Sequence, residues 1–181
     1  MSGMHDSHVT SAQIEKAIRN IPDFPKPGIQ FKDITPVLAD ARLFSASIDL
    51  LTADFQAGMV DAVVGIDARG FIFAAAAALK LQAGFIPVRK KGKLPYVTHE
   101  QSYDLEYGSN TIAIHTDALK KTSRVLLIDD LLATGGTAAA AAQLVEKVGA
   151  KILQISFVIE LSFLKGRDRL GHYPVRSLVV Y

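Results

Sequence analysis

Two adjacent carboxylates, Asp129 and Asp130, are followed after two leucines by Ala133-Thr-Gly-Gly-Thr137, a stretch of small and hydroxyl-bearing residues. Neighbouring carboxylates can accept hydrogen bonds from the hydroxyls of a sugar. The backbone N–H groups of Ala133, Thr134, Gly135, Gly136 and Thr137 open an alanine-rich helical pattern. A helix N-terminus offers unpaired donors and the positive end of the dipole to a phosphate. Acids for a sugar beside a cradle for an anion describe a site for a phosphorylated ribose. The other reading of the same residues is an ordinary strand–turn–helix crossover with acids at its solvent end. Neither G-x-G-x-x-G nor G-x-x-x-x-G-K-[ST] occurs, which excludes the common dinucleotide and P-loop schemes.

Two other clusters carry charge to turns. Asp67-Ala-Arg-Gly70 follows the apolar run 62–66 and leads into a helical pattern through another small-residue turn. By itself it reads best as a capping aspartate and a solvated arginine. Arg89-Lys-Lys-Gly-Lys93 concentrates positive charge at the end of the next apolar run. A formal net charge of +2, with no broad basic field, argues against nucleic acid. Charge gathered at one strand end suits a polyanionic small molecule instead.

The elements that must position these residues alternate along the chain. The spacing predicts strands over 62–66, 83–89, 124–128 and 150–160, with helices over 70–81 and 137–148. Continuous apolar strands alternating with helices imply an α/β fold, a central parallel sheet flanked by helices. Alanine blocks at 74–78 and 138–142 let helices lie close to such a sheet. Ahead of this core, Thr10-Ser-Ala-Gln13 fits a capping box, and Ile14, Ala17, Ile18 and Ile21 follow at helical spacing. Pro22 to Gly28, with three prolines, demands an extended loop. Asp40 caps a second helix whose stripe is Phe44, Ile48, Leu51 and Phe55. Residues 93–116 break the alternation: 103–107 and 111–115 alternate apolar and polar around Gly108-Ser-Asn110, a β-hairpin of the length that often serves as a lid. A short helix, a turn and a final strand complete the expectation.

With 181 residues, 49% of them apolar and 21% charged, the chain has the profile of one soluble globular domain, 1–181. The absence of cysteine excludes a disulfide framework and fits a reducing cytoplasm. No apolar stretch is long enough to span a membrane, and residues 1–10 lack the hydrophobic segment of a signal peptide.

The run from Val125 to Thr137 resembles the phosphoribosyl-diphosphate signature of type I phosphoribosyltransferases. Asp23-Phe-Pro-Lys-Pro-Gly-Ile-Gln-Phe-Lys-Asp-Ile-Thr-Pro36, Asp67 to Gly70, Lys93 to Gly108 and Glu160-Leu-Ser-Phe-Leu-Lys-Gly-Arg167 extend the likeness in the family's order, and aspartate as first acid favours its adenine branch. The resemblance implies adenine and phosphoribosyl diphosphate as substrates, AMP and pyrophosphate as products, and Mg²⁺ held mainly by substrate and water rather than by a dedicated protein site. It also implies a homodimer, an N-terminal base-binding hood within 1–36, and a lid hairpin over 93–116. On this likeness Asp129 and Asp130 bind the ribose hydroxyls, and residues 133–137 the phosphate on its 5′ carbon. Asp67, Ala68, Arg69, Lys90 and Lys93 face the pyrophosphate. Adenine lies between Phe31 and Leu161, with the backbone of Ile29, Gln30, Phe31 and Lys32 on its edge. Glu106 shuttles the proton at N7, and Tyr107 covers the closed site. Without the likeness Phe31 and Leu161 read as core residues, Glu106 as a solvent-facing strand residue and Lys93 as surface. Other readings are the same reaction on another purine, or a non-catalytic phosphoribosyl-diphosphate-binding regulator built on the same fold.

Overall fold

The computed structural model describes residues 9–104 and 109–181 and divides into two compact units, Met1–Leu50 and Leu51–Tyr181. In the first unit, helix α1 spans Ser11–Ala17 under the Thr10–Gln13 capping box. Helical periodicity predicts that it continues to Ile21, but the chain turns extended at Ile18, and Arg19–Pro22 forms strand β1. Branched Ile18 and Ile21, with a proline directly after, disfavour another helical turn. Strand β2, Gln30–Asp33, offers β1 the alternative of antiparallel pairing, with Ile21 opposite Phe31.

The connection between them is a tight excursion: Asp23 and Gly28 both have positive φ, and the Asp23 carboxylate accepts the Gly28 N–H at 2.8 Å. A short helix α2, Thr35–Ala39, was not expected from periodicity. Asp33 starts it by accepting the Thr35 N–H at 2.9 Å and its hydroxyl at 2.8 Å, and Pro36 in the first turn needs no partner for a missing donor. Helix α3, Ala41–Leu51, begins where predicted, with the Asp40 carboxylate accepting the N–H groups of Arg42 and Leu43. Phe55, the last member of the predicted stripe, lies beyond its end.

The second unit is an α/β sheet. Its elements are β3 Ala62–Ile66, α4 Gly70–Leu81, β4 Gly84–Lys90, β5 Thr98–Asp104, β6 Ser109–His115, β7 Arg124–Leu132, α5 Gly136–Val148, β8 Lys151–Glu160 and β9 Val175–Val180. Two 3-10 turns, Ser162–Leu164 and Gly166–Leu170, join β8 to β9. The order is β5-β6-β4-β3-β7-β8-β9, parallel from β4 to β9, with β6 antiparallel to both β4 and β5. The hairpin pairs Thr98 with His115 and Asp104 with Ser109, so it starts nearer the chain's beginning than alternation suggested. Residues 105–107 of its predicted first strand and Gly108 of its predicted turn lie outside the described residues.

Both faces of the sheet are covered, which is why its strands read as continuous apolar runs. Val125, Leu126, Leu127 and Ile128 of β7 are all fully buried. Each such side chain contributes about 1.5–3 kcal/mol. Ala74 and Ala77 of α4, and Ala141 and Ala142 of α5, have no exposed surface. At Gly65 of β3 a methyl group would stand 2.7 Å from the Ala74 Cβ and 2.9 Å from the Phe85 ring. Small residues thus set how closely α4 lies on β3. Strand β7 runs four residues past its predicted end, because pairing with β8 continues to Leu132 opposite Glu160. Asp129 and Asp130 therefore sit within the ladder and not beyond it.

Candidate active site

In a parallel sheet the carboxyl ends of neighbouring strands lie side by side, and ligands bind outside them. Here the tips of β4, β3, β7 and β8 are consecutive, and each carries one of the motifs. At the centre, Asp130 is 8% exposed, and its backbone N–H donates to Asp129 Oδ1 at 2.9 Å. From the β3 tip, Arg69 Nε reaches Asp130 Oδ2 at 2.6 Å. Gly70 makes this approach possible: a methyl there would lie 2.5 Å from Asp129 Oδ1 and 3.2 Å from the Ile128 carbonyl oxygen. The turn 67–70 and the acid pair are thus in direct contact.

Removal from water, and then the Asp130 charge, push the Asp129 carboxyl well above the usual carboxylate range. Asp130 is raised as well, by burial, against the opposing Arg69 guanidinium. Two clustered acids with one cation form a set that can both accept from and donate to paired hydroxyls.

Next to them lies a small cavity of about 70 Å³, lined by Asp129, Leu131, Leu132 and residues 133–138. Its size suits one anionic group and not a whole nucleotide. Gly135 caps α5 with φ +82°, a conformation that favours glycine. The first N–H groups of α5 have no partners within the helix and are available to an anion. Larger cavities, of about 480 and 550 Å³, open at the amino ends of the strands, around Asp61 and Ser123 and around Ala150 and Tyr173. Volume by itself would select the wrong end of the sheet; the chemistry-bearing residues select the other.

Asp67 accepts the Arg89 Nε at 3.0 Å, and Arg89 Nη1 donates to the Lys93 carbonyl at 3.1 Å. The Lys93 N–H donates in turn to the Lys90 carbonyl at 3.1 Å. Asp67 is therefore engaged in ordering the basic turn, whose Lys90 and Lys93 are exposed. Arg89 is the residue that sequence reasoning missed here; its signal was an arginine at a strand end beside an acid at the neighbouring tip. Ala68 follows Asp67 through a cis peptide bond.

Leu161 is half-buried just past β8, its N–H donating to the Leu132 carbonyl at 2.9 Å. Ile29, Gln30, Phe31 and Lys32 belong to the first unit. There Phe31 meets Phe24 edge-on at 5.1 Å, Ile29 is 40% exposed, and burial lowers the Lys32 ammonium pKa. Glu106 and Tyr107 lie outside the described residues. Among the described residues no group of three or more His, Asp or Glu could hold a metal ion.

A family model for the phosphoribosyl transferase domain matches residues 30–177. The chain is 60% identical to an adenine phosphoribosyltransferase of Acidothermus cellulolyticus over 162 residues, 90% of this chain and 92% of that one. A crystal structure of the Rhodothermus marinus adenine phosphoribosyltransferase superposes with TM-score 0.90 at 50% identity, covering 94% of this chain and 98% of the other. The Saccharomyces cerevisiae enzyme, complexed with an imino-altritol bisphosphate and adenine, superposes with TM-score 0.88 at 42% identity, covering 93% and 97%. With an acid pair, an anion cradle and a guanidinium converging at one sheet end, and with likeness of this extent, the chain belongs to the phosphoribosyltransferase family, among its adenine phosphoribosyltransferases.

Proposed function

We propose that the enzyme joins adenine to the phosphoribosyl group of phosphoribosyl diphosphate, releasing AMP and pyrophosphate in purine salvage. The observation that supports this reading most is the contact of Arg69 with Asp130 at 2.6 Å, a guanidinium beside the acid pair at the carboxyl end of the sheet. The Saccharomyces cerevisiae relative holds adenine together with a bisphosphorylated sugar analogue, two ligand types this assignment requires.

In the reaction the bond from the anomeric carbon to the diphosphate oxygen breaks and the bond to adenine N9 forms. Charge at that carbon becomes oxocarbenium-like, as in glycoside cleavage. Asp129 and Asp130 hold the ribose hydroxyls, and the N–H groups of Ala133, Thr134, Gly135, Gly136 and Thr137 hold the phosphate, so the anomeric carbon is fixed between them. Asp67, Ala68, Arg69, Lys90 and Lys93 face the departing pyrophosphate. Ile29, Gln30, Phe31, Lys32 and Leu161 seat the base. Glu106 takes the proton from N7 while Tyr107 and the hairpin exclude water. The oxygen atoms of the acid pair suit a hard cation, and Mg²⁺, held mainly by substrate and water, would when bound supply charge neutralisation for the leaving group.

Residues 1–181 act as one functional domain, a reading supported by the family match running across the boundary between the two units. Two copies pair in solution; Ile72 and Leu79 of α4, 41% and 83% exposed and a helical repeat apart, are the apolar surface that supports this. A cysteine-free chain with no helix long and apolar enough to cross a membrane among its described residues suits the cytoplasm. The experiment is an AMP-formation assay with Mg²⁺, phosphoribosyl diphosphate and a panel of bases. AMP from adenine, with little product from hypoxanthine, guanine or xanthine, is expected. Preference for a 6-oxopurine would transfer the enzyme to another base, and tight phosphoribosyl-diphosphate binding without turnover would make it a regulator.

A further inference from the structure

We infer that Gly166 is a positioning residue for the phosphate loop, held in place by the Arg167–Glu160 ion pair. The inference rests on the reading of residues 133–137 as the phosphate site and adds a determinant outside that loop.

Gly166 is buried, and it follows Lys165, whose φ of +53° turns the chain sharply. A methyl group on Gly166 would overlap the Ala133 carbonyl oxygen and stand 2.9 Å from Leu132 Cδ1. The contact is reciprocal, since a methyl group on Gly135 would overlap the Gly166 carbonyl oxygen and lie 3.2 Å from its Cα. Two glycine backbones, more than thirty residues apart in the chain, therefore touch with no room for a side chain on either. Ala133 and Gly135 lie in the loop whose N–H groups would hold the phosphate, so the surface that Gly166 presents sets where those donors point. Gly166 is absent from the lining of the 70 Å³ cavity and acts through the loop and not on the ligand.

What fixes Gly166 is its neighbour. Glu160, at the end of β8, is 5% exposed, and its carboxylate accepts Arg167 Nε at 2.8 Å and Arg167 Nη2 at 2.8 Å. Ser177 Oγ of β9 donates to the same carboxylate at 2.6 Å, and Arg167 Nη1 donates to the Val175 carbonyl at 3.0 Å. A planar guanidinium meeting a carboxylate through two parallel bonds has far less angular freedom than an ammonium. Arg167 is thereby locked to β8 and β9, and with it the adjoining Gly166. The arrangement resembles the outer-shell support that keeps binding groups within a fraction of an ångström of their working geometry.

The test compares wild type, Gly166→Ala, Arg167→Lys and Thr137→Glu. KM is measured for phosphoribosyl diphosphate and for adenine, and Kd by calorimetry for AMP and adenosine, which differ only in the phosphate. Displacement of a positioned group by about an ångström can cost roughly a hundredfold. Gly166→Ala is expected to raise KM for phosphoribosyl diphosphate roughly tenfold or more and to shrink the preference for AMP over adenosine by a similar factor, leaving KM for adenine within about twofold. Arg167→Lys is expected to do the same at smaller amplitude. An unchanged preference for AMP in Gly166→Ala, or losses spread equally over both substrates, overturns the inference. If Gly166→Ala fails to fold, Arg167→Lys decides by the same criterion. Thr137→Glu separates the two levels, because its carboxylate would repel a phosphate in the cavity that Thr137 lines: an unaltered AMP preference there sinks the phosphate reading and the inference together, whereas a loss in Thr137→Glu without one in Gly166→Ala sinks the inference alone.

Discussion

Asp129 is proposed as an acceptor for the ribose hydroxyls, and its carboxyl is half-buried beside another acid. Its pKa is raised by burial and by the Asp130 charge, so between the ordinary aspartate range and that raised value the folded protein retains proton occupancy at Asp129 that the unfolded chain releases. Stability then falls as pH rises from the ordinary aspartate range toward the raised value, because the unfolded state binds fewer protons. Asp129→Asn is expected to melt at a higher temperature than wild type at pH 8, with the gap closing as pH falls toward about 4. The same variant should bind phosphoribosyl diphosphate more weakly with little change for adenine; equal losses for both would indicate a folding defect. At Glu106 the expectation is kinetic. Glu106→Leu should lower turnover by ~10²–10⁴ with phosphoribosyl-diphosphate affinity nearly intact, and unchanged turnover would remove Glu106 from proton transfer.

Elements bring these residues together through close approaches. The start of α4 touches Asp129 at Gly70, and its body touches β3 at Gly65. The two contacts have different consequences. Gly65→Ala crowds Ala74 and the Phe85 ring, so it is expected to cost about 1–3 kcal/mol in chemical denaturation without altering either KM. Gly70→Ala presses on Asp129 itself and moves Arg69 from Asp130, so its main effect should be a raised KM for phosphoribosyl diphosphate. A reversed pattern would mean that α4 places the site through its body and not its first turn. Strand β7 illustrates the same dependence: only pairing with β8 through Leu132 keeps the two acids on a rigid ladder rather than a loop.

At the scale of the whole molecule, the sheet unit is organised around β7, whose apolar run is buried from both sides. Leu127→Ala, at a fully buried position, should cost about 2–5 kcal/mol of unfolding free energy. The exposed apolar pair on α4 leads to a separate expectation: Leu79→Asp should shift the protein from dimer to monomer in sedimentation, while a wild type that is monomeric at micromolar concentration would rule that surface out. The wide cavities at the amino ends of the strands lie among loops that carry none of the motifs.

Much of this was already determined by the order of residues. Period and turn chemistry act within one element, so β3, α4 and the start of α3 are legible from apolar runs, from Gly70 and from the Asp40 cap. The acid pair and the Thr-Gly-Gly-Thr turn are contiguous, and their chemistry is readable without a fold. Local patterns failed where pairing across the chain took over, as at Ile18 to Ile21, which a helical period claimed and a strand partner won. Only the tertiary structure decided that Arg69 meets Asp130, that Asp67 is taken up by Arg89, and that Gly166 rests on the loop at Ala133 and Gly135. Those contacts depend on strand order and register, which are properties of the packed sheet and of no single segment within it.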